Sequence, residues 1–369
     1  MKTFAQNTTA RVGGPAGEWI TASSDQLVLA VLREHHLPSD EDRAAGRDTL
    51  LVLGGGSNLL VSQDGFDGTV LQLAFSGISA EPVDEDGVIV TVAAGHLWDD
   101  VVAWTVERGL SGVEALSGIP GATGAVPVQN VGAYGAEVSQ TLLDITAWDR
   151  LEDERVVLTN EELEFGYRDS LLKRETIAGS PRYVVVEVRF RLSHAPGRAL
   201  SAPVRYAELA RQLGLDISLP EEQRRTDLLA VRQKVLELRG SKGMVVDPDD
   251  YDTWSTGSFF TNPIVPASSA EHIPAEAPRF PAGDNEEGEP LVKLSAAWLI
   301  DNAGAGRGFG ADLTAGKASL STKHTLAVTN RGGASTEDLL TVARAARDKV
   351  KDAFGIELRP EPVLIGCQL

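Results

Sequence analysis

Cysteine is almost absent: the 369 residues contain only Cys367, near the C-terminus. An intrachain disulfide and a cysteine cluster for zinc or iron–sulfur are therefore excluded. Basic residues are scarce as well, with 34 Lys and Arg against 53 Asp and Glu and a formal net charge of −19. Nucleic acids and anionic membranes are bound through clustered Lys and Arg, so neither is an expected partner. Long apolar runs are missing, and the first thirty residues carry Lys2 and Arg11 but no apolar signal segment. Together these features predict a soluble cytoplasmic protein without membrane insertion. Several catalytic strings are lacking too. Gly310 to Lys317 has the wrong spacing for a Walker A loop, and Gly304 to Gly310 lacks the dinucleotide fingerprint. No G-x-S-x-G or H-E-x-x-H occurs, and His35, His36, His96, His194, His272 and His324 show no metal-ligand spacing, so no metal is expected.

What remains is an ordinary globular composition, 42% hydrophobic and 24% charged, over a length that calls for two or three domains. Glycine stands out at 37 residues, clustered at Gly54 to Gly56, Gly112 to Gly135 and Gly304 to Gly310. Ser24 and Asp25 cap a predicted helix through Leu27, Val31 and Leu32, and Thr49 to Leu53 reads as a short buried strand. Val88 to Val92 predicts a strand, and Leu97, Val101 and Trp104 one face of a helix ending near Gly109. Tyr183 to Leu192 alternates Val184, Val186, Val188, Phe190 and Leu192 against Val185, Glu187, Arg189 and Arg191, the pattern of a half-exposed antiparallel strand. Further on, Thr226 and Asp227 open a helix closed by Gly240, and the Ser335-x-x-Asp338 box opens another that stops at Gly355. Residues 264 to 290, with five prolines, read as a long surface loop.

Five motifs carry possible chemistry. Gly54-Gly55-Gly56-Ser57-Asn58 is a turn whose main-chain N–H groups can approach a pyrophosphate without Cβ interference, or simply a tight turn between strands. Ile119 to Gly135 is a small-residue, nearly uncharged loop suited to packing against something flat, with Gln129 and Asn130 able to hydrogen-bond a ring system. Tyr167-Arg168-Asp169 sets a fixed cation beside a phenol, which suits a carboxylate or phosphate; the plainer alternative is a surface turn. Ser258 lies among aromatics in Gly257-Ser258-Phe259-Phe260, as either a core hydroxyl or a placed proton donor, and Glu361 is locked between Pro360 and Pro362.

GGGSN, IPGATGAVPVQNVGAYG, FGYRDS, SKGM, GSFFTNP, KLSAAWLID and RPEP occur in this order, behind an N-terminal NTTARVGGPA. In this the chain closely resembles the UDP-N-acetylenolpyruvoylglucosamine reductase (MurB) family over nearly its whole length. The resemblance implies an α+β protein with a PCMH-type (vanillyl-alcohol-oxidase-like) FAD-binding fold of two subdomains plus an α+β C-terminal substrate domain. Residues 1–75 would form the first FAD subdomain, with 356–369 returning to it, residues 76–205 the second, and 206–355 the substrate domain. It also implies a cytoplasmic, NADPH-dependent flavoenzyme of peptidoglycan precursor synthesis that reduces UDP-N-acetylglucosamine enolpyruvate to UDP-N-acetylmuramate; no protein partner is implied.

Carried onto matching positions, Gly54, Gly55, Gly56, Ser57, Asn58, Gly121, Ala122, Gly124, Ala125, Gln129, Asn130, Gly132 and Tyr134 would bind FAD, held non-covalently. Arg168, Ser258 and Glu361 would be catalytic, and Tyr167, Tyr206, Lys242 and Asn262 would contact the substrate. The residue types suit the reaction. Hydride delivery to a carboxylate-activated alkene places negative charge on the carboxylate, which Arg168 can meet. The neighbouring carbon then needs a proton, assigned to Ser258, with Glu361 as the other candidate acid if burial raises its pKa. Some relatives carry a tyrosine that reaches the diphosphate from the following loop; here Phe280 stands in its place and has no hydroxyl. The competing reading is an FAD-dependent alcohol or 2-hydroxy-acid oxidase or dehydrogenase on the same fold, against which the set Arg168, Ser258, Glu361 and Lys242 speaks. A third is a non-catalytic nucleotide-sugar-binding protein.

Overall fold

A computed structural model describes residues 1–194 and 199–369 and divides the chain into two compact units. One comprises Ala16–Gly56 and Asp67–Ser241; the other comprises Met1–Pro15, Ser57–Phe66 and Lys242–Leu369. We call them the glycine-loop unit and the serine unit. Both mix helices with mostly antiparallel sheets, and the fold is α+β.

The glycine-loop unit is built on an antiparallel sheet in the order Glu154–Thr159, Leu142–Asp149, Tyr183–His194, Gly87–Ala93, Ile78–Pro82. The alternation of Tyr183–His194 makes it the central strand: Val188 pairs with Ile145 on one side and Val92 on the other. Val184, Val186, Val188, Phe190 and Leu192 enter the core, where Phe190 lies 5.6 Å from the Trp98 ring. On the other face Arg189 pairs with Asp144 and Arg191 with Asp84, but Val185 is buried there too. A three-stranded sheet, Ala16–Ala22, Phe66–Leu73 and Leu50–Leu53, contains the predicted Thr49 to Leu53 strand in parallel pairing, Leu51 opposite Val70. Helix Asp25–Glu34 starts where Ser24 Oγ accepts the Leu27 N–H.

Two helix boundaries differ from the sequence reading. Leu97 is the N-cap of helix Trp98–Glu107, extended and 56% exposed, and contributes nothing to its buried face. Helix Leu228–Ser241 runs through Gly240, and the left-handed residue that follows is Gly243, with φ +67°. A glycine inside a helix costs only about 1 kcal/mol, less than the burial of Leu228, Val231, Val235 and Leu238 returns.

The serine unit centres on helix Thr336–Phe354, which has the predicted reciprocal Ser335–Asp338 capping box and ends at Gly355 with φ +64°. It packs on Ala318–Leu320 paired with Val328–Asn330 and on helix Ala296–Asn302. The C-terminal strand Val363–Ile365 runs parallel to Leu59–Val61, with Leu364 opposite Leu60. Residues 264 to 290 are not a loop. Two strands within them, Ile264–Pro266 and Arg279–Asp284, flank Pro290–Leu294 in a three-stranded sheet, joined by turns. Three of the five prolines that suggested irregular chain fall where a strand tolerates them, Pro266 and Pro281 on the outer strands and Pro290 at the first residue of the middle one, and Pro274 and Pro278 lie in the connection between the outer strands.

Candidate active site

In the glycine-loop unit two glycine turns press main chain against main chain. A Cβ on Gly55 would lie 2.6 Å from Gly121 Cα, and one on Gly54 3.2 Å from Ala122 Cβ. Only glycine lets the Leu50–Leu53 strand end so close to the second loop. That loop is pinned through Gly121 O to Trp98 N (3.0 Å), Thr123 N to His96 O (2.8 Å) and Gly124 N to Ala94 O (2.8 Å). Gly55 on the first turn and Ala125 on the second remain exposed. Positive φ recurs at Gly56, Gly121, Asn130, Tyr134 and Gly135, a main-chain pattern that makes anion-binding concavities. A dinucleotide approached by backbone amides fits this surface, so the residues present suit FAD.

Asn130 is buried and its side chain is spent within the protein. Its amide donates to Glu137 Oε2 and the Gly166 carbonyl, both at 3.0 Å, and its oxygen accepts the Ser139 N–H. It therefore shapes the turn, joining the loop to the strip that carries Tyr167 and Arg168. Arg168, itself at φ +53°, donates to Gly132 O at 2.9 Å and lies 5.4 Å from the Tyr167 ring. This cation is thus fixed against the loop by that loop's own carbonyls. Tyr134 meets the exposed Tyr206 edge-on at 5.4 Å, which joins a predicted FAD residue to a predicted substrate residue.

In the serine unit the half-buried Ser258 follows Gly257, whose φ of +78° sets the bend before Phe259 and Phe260, both fully buried. Phe259 N donates to Leu326 O, and Phe259 O accepts the Glu361 N–H at 2.8 Å. Glu361 O in turn accepts from Asn58 Nδ2 at 3.3 Å, and Val363 N donates to Asn58 O. Residues some three hundred positions apart in sequence thus share one hydrogen-bonded edge. Asn262 Oδ1 accepts the Ala296 N–H, anchoring the start of helix Ala296–Asn302. Phe280 lies 51% exposed on an outer strand.

The loop before Ser258 is held from behind by the N-terminal segment. Thr9 Oγ1 donates to Ser255 O at 2.7 Å, and the Arg11 guanidinium stacks 3.9 Å from the centre of the Trp254 ring. Buried Asn330 donates to Ala10 O and Arg11 O, while its N–H donates to Trp254 O. Asp252 accepts from the Thr322 N–H and hydroxyl and from Arg331; burial opposes its charge, but these donors hold its pKa below the usual carboxylate range.

Two basic residues beside Lys242 were not found from sequence. His324 is held to a pKa of about 4 by burial and then by the positive charges of Lys242 and Arg307. Three basic groups therefore converge in the serine unit, and at neutral pH one of them is uncharged. Lys242 was legible in its SKGM motif, whereas His324 and Arg307 lie far along the chain with no local pattern to mark them.

Residues 43–157 match the model of the FAD binding domain family, and residues 247–365 match that of the UDP-N-acetylenolpyruvoylglucosamine reductase C-terminal domain. A UDP-N-acetylenolpyruvoylglucosamine reductase of Cutibacterium acnes is 49% identical over 99% of this chain and 90% of its own length. The chain belongs to the UDP-N-acetylenolpyruvoylglucosamine reductase family. Relatives of the same name from Streptomyces avermitilis and Mycobacterium tuberculosis are 49% and 48% identical over 99% of the chain, covering 94% and 95% of their own lengths. The reductase (MurB) of Thermus caldophilus superposes with a TM-score of 0.62 at 25% identity, covering 99% of this chain and 97% of that one. No metal-binding group of His, Cys, Asp or Glu occurs among the described residues, and no helix among them is long and apolar enough to cross a membrane.

Proposed function

We propose that the protein is a cytoplasmic, NADPH-dependent flavoenzyme that reduces UDP-N-acetylglucosamine enolpyruvate to UDP-N-acetylmuramate. Membership of the reductase family supports the reaction, and the main-chain tie from Glu361 N to Phe259 O supports the site, because it joins the segment that carries Ser258 to the one that carries the proline-locked Glu361. The glycine turns would hold FAD non-covalently, and when bound it would pass to the substrate the hydride taken from NADPH. The rest falls to the chain. Gly54, Gly55, Gly56, Gly121, Ala122, Gly124, Ala125, Gly132 and Tyr134 shape the main-chain surface for FAD, with Ser57, Asn58, Gln129 and Asn130 fixing its edges.

Arg168 meets the charge that gathers on the enolpyruvyl carboxylate; its guanidinium is preorganised by Gly132 O, so little reorganisation accompanies the reaction. Ser258 holds the proton for the carbon next to the carboxylate, and Glu361 stands as its partner. Lys242 and Arg307 supply the positive field that a diphosphate needs, with the uncharged His324 near them as a neutral hydrogen-bonding group, while Tyr167, Tyr206 and Asn262 line the sugar-nucleotide path. The earlier division into residues 1–75 with 356–369, 76–205 and 206–355 belongs to the same proposal, as functional subdomains.

The test is an anaerobic visible spectrum taken before NADPH, after it, and after the enolpyruvyl UDP-sugar. Colour that bleaches with NADPH and returns only with that substrate is expected; colour that stays bleached would refute the substrate. In Ser258→Ala the NADPH half-reaction should be near normal and the return of colour slower by roughly 10²-fold or more. Equal slowing of both halves would remove Ser258 as proton donor.

A further inference from the structure

Helix Leu228–Ser241 lies in a stretch that the sequence reading assigned to substrate binding, yet it packs into the glycine-loop unit. Its Arg232 reaches Asp99, in the first turn of helix Trp98–Glu107, in a two-pronged ion pair: Nη1 to Oδ1 at 2.7 Å and Nη2 to Oδ2 at 2.9 Å. Asp99 Oδ1 also accepts the Gly118 N–H at 2.6 Å. Gly118 has φ +72° and opens the loop whose Gly121 abuts Gly55. Most pins of that loop are main-chain bonds that side-chain truncation leaves in place; at its entry the pin is a carboxylate.

The charges around Asp99 favour this arrangement. Burial works against its ionised form, but Arg232, the Gly118 N–H and, further off, Arg239 keep its pKa below the usual carboxylate range. Arg239, from the last turn of the same helix, is itself desolvated and lies within electrostatic reach of both Asp99 and Tyr134. One helix therefore faces both ends of the Gly118 to Tyr134 loop.

We propose that Asp99 is a positioning residue for FAD binding: it fixes where the Gly118–Gly121 turn meets Gly55, and Arg232 orients its carboxylate. This rests on the reading that the glycine turns hold FAD. A displaced turn would no longer present its amides and flat backbone where the dinucleotide needs them, whereas loss of a merely structural ion pair would lower stability without selective loss of FAD affinity.

The test is the FAD dissociation constant of deflavinated full-length protein, read by flavin fluorescence quenching, with the melting temperature of the same apoprotein. Asp99→Ala removes the pin and the pair and should weaken FAD binding tenfold or more. Asp99→Asn keeps an acceptor for Gly118 and should recover part of that loss. Arg232→Met leaves the carboxylate unsteered and should weaken binding several-fold. In each, FAD affinity should fall further than the change in apoprotein melting explains. Affinities within twofold of wild type in Asp99→Ala overturn the inference. If that variant does not fold, unchanged affinity in both Asp99→Asn and Arg232→Met does so. Wild-type apoprotein that fails to take up FAD would instead overturn the underlying FAD reading.

Discussion

Lowering the pH from 7 to 5 should cost the wild-type protein about 2 kcal/mol more than it costs a His324→Gln variant. In the unfolded chain a histidine takes its proton near pH 6.5, but folded His324 does so only near 4, since burial and the cations Lys242 and Arg307 oppose a further positive charge. Between those values the unfolded chain binds a proton that the folded one does not, so stability falls as pH drops through the window. At pH 5 the linkage comes to about 2 kcal/mol, and below pH 4 it levels off near 3 kcal/mol. Glutamine keeps polarity and approximate size without titrating. Urea unfolding of both proteins at pH 7 and pH 5 gives the comparison, and histidine-selective NMR gives the titration itself. Parallel pH dependence of the two proteins, or a His324 resonance titrating near 6.5, would refute the placement of His324 among the cations.

Gly55→Ala should loosen FAD and cost about 1–3 kcal/mol, because its Cβ would meet main chain at Gly121, which cannot rotate away; FAD content after gel filtration checks it, and full retention would contradict the packing. Asn330→Ala should destabilise the serine unit by about 3 kcal/mol, since the buried amide donates to Ala10 and Arg11 and accepts from Gly332 and Ala334; urea unfolding measures it. Acid precipitation should leave the yellow colour in the supernatant, because Gly54 to Asn58 offers no histidine and Cys367 is the sole thiol; colour in the pellet would mean a covalent link.

Elements with one strong local signal were legible. Tyr183–His194 announced itself because a half-buried strand needs strict alternation, and Thr336–Phe354 because its capping box and terminal glycine satisfy the helix ends locally. The sheet at 264–294 was not legible. Its strands are short, and Ile264 and Phe280 face outward at 43% and 51% exposure, so no apolar alternation accompanied the prolines. At the site, the motifs around Gly54, Gly121, Arg168, Ser258 and Glu361 stood out as local strings. Asp99, Asn330, Arg307 and His324 acquire their surroundings only on folding, from residues 17 to 320 positions away, and no helical or strand periodicity links the two sides of such a contact.

The pairing of Val363–Ile365 with Leu59–Val61 bears on how the chain is made. As the ribosome releases the chain in order, everything in the glycine-loop unit is available once Ser241 has emerged, and that unit can settle during synthesis. The strand Leu59–Val61 must instead wait, edge unpaired, for a partner made some three hundred residues later, and Glu361 arrives with it. A truncated or stalled product would therefore carry the glycine turns without the glutamate proposed to stand beside Ser258, and with Asn58 lacking the main-chain partners that Glu361 and Val363 give it.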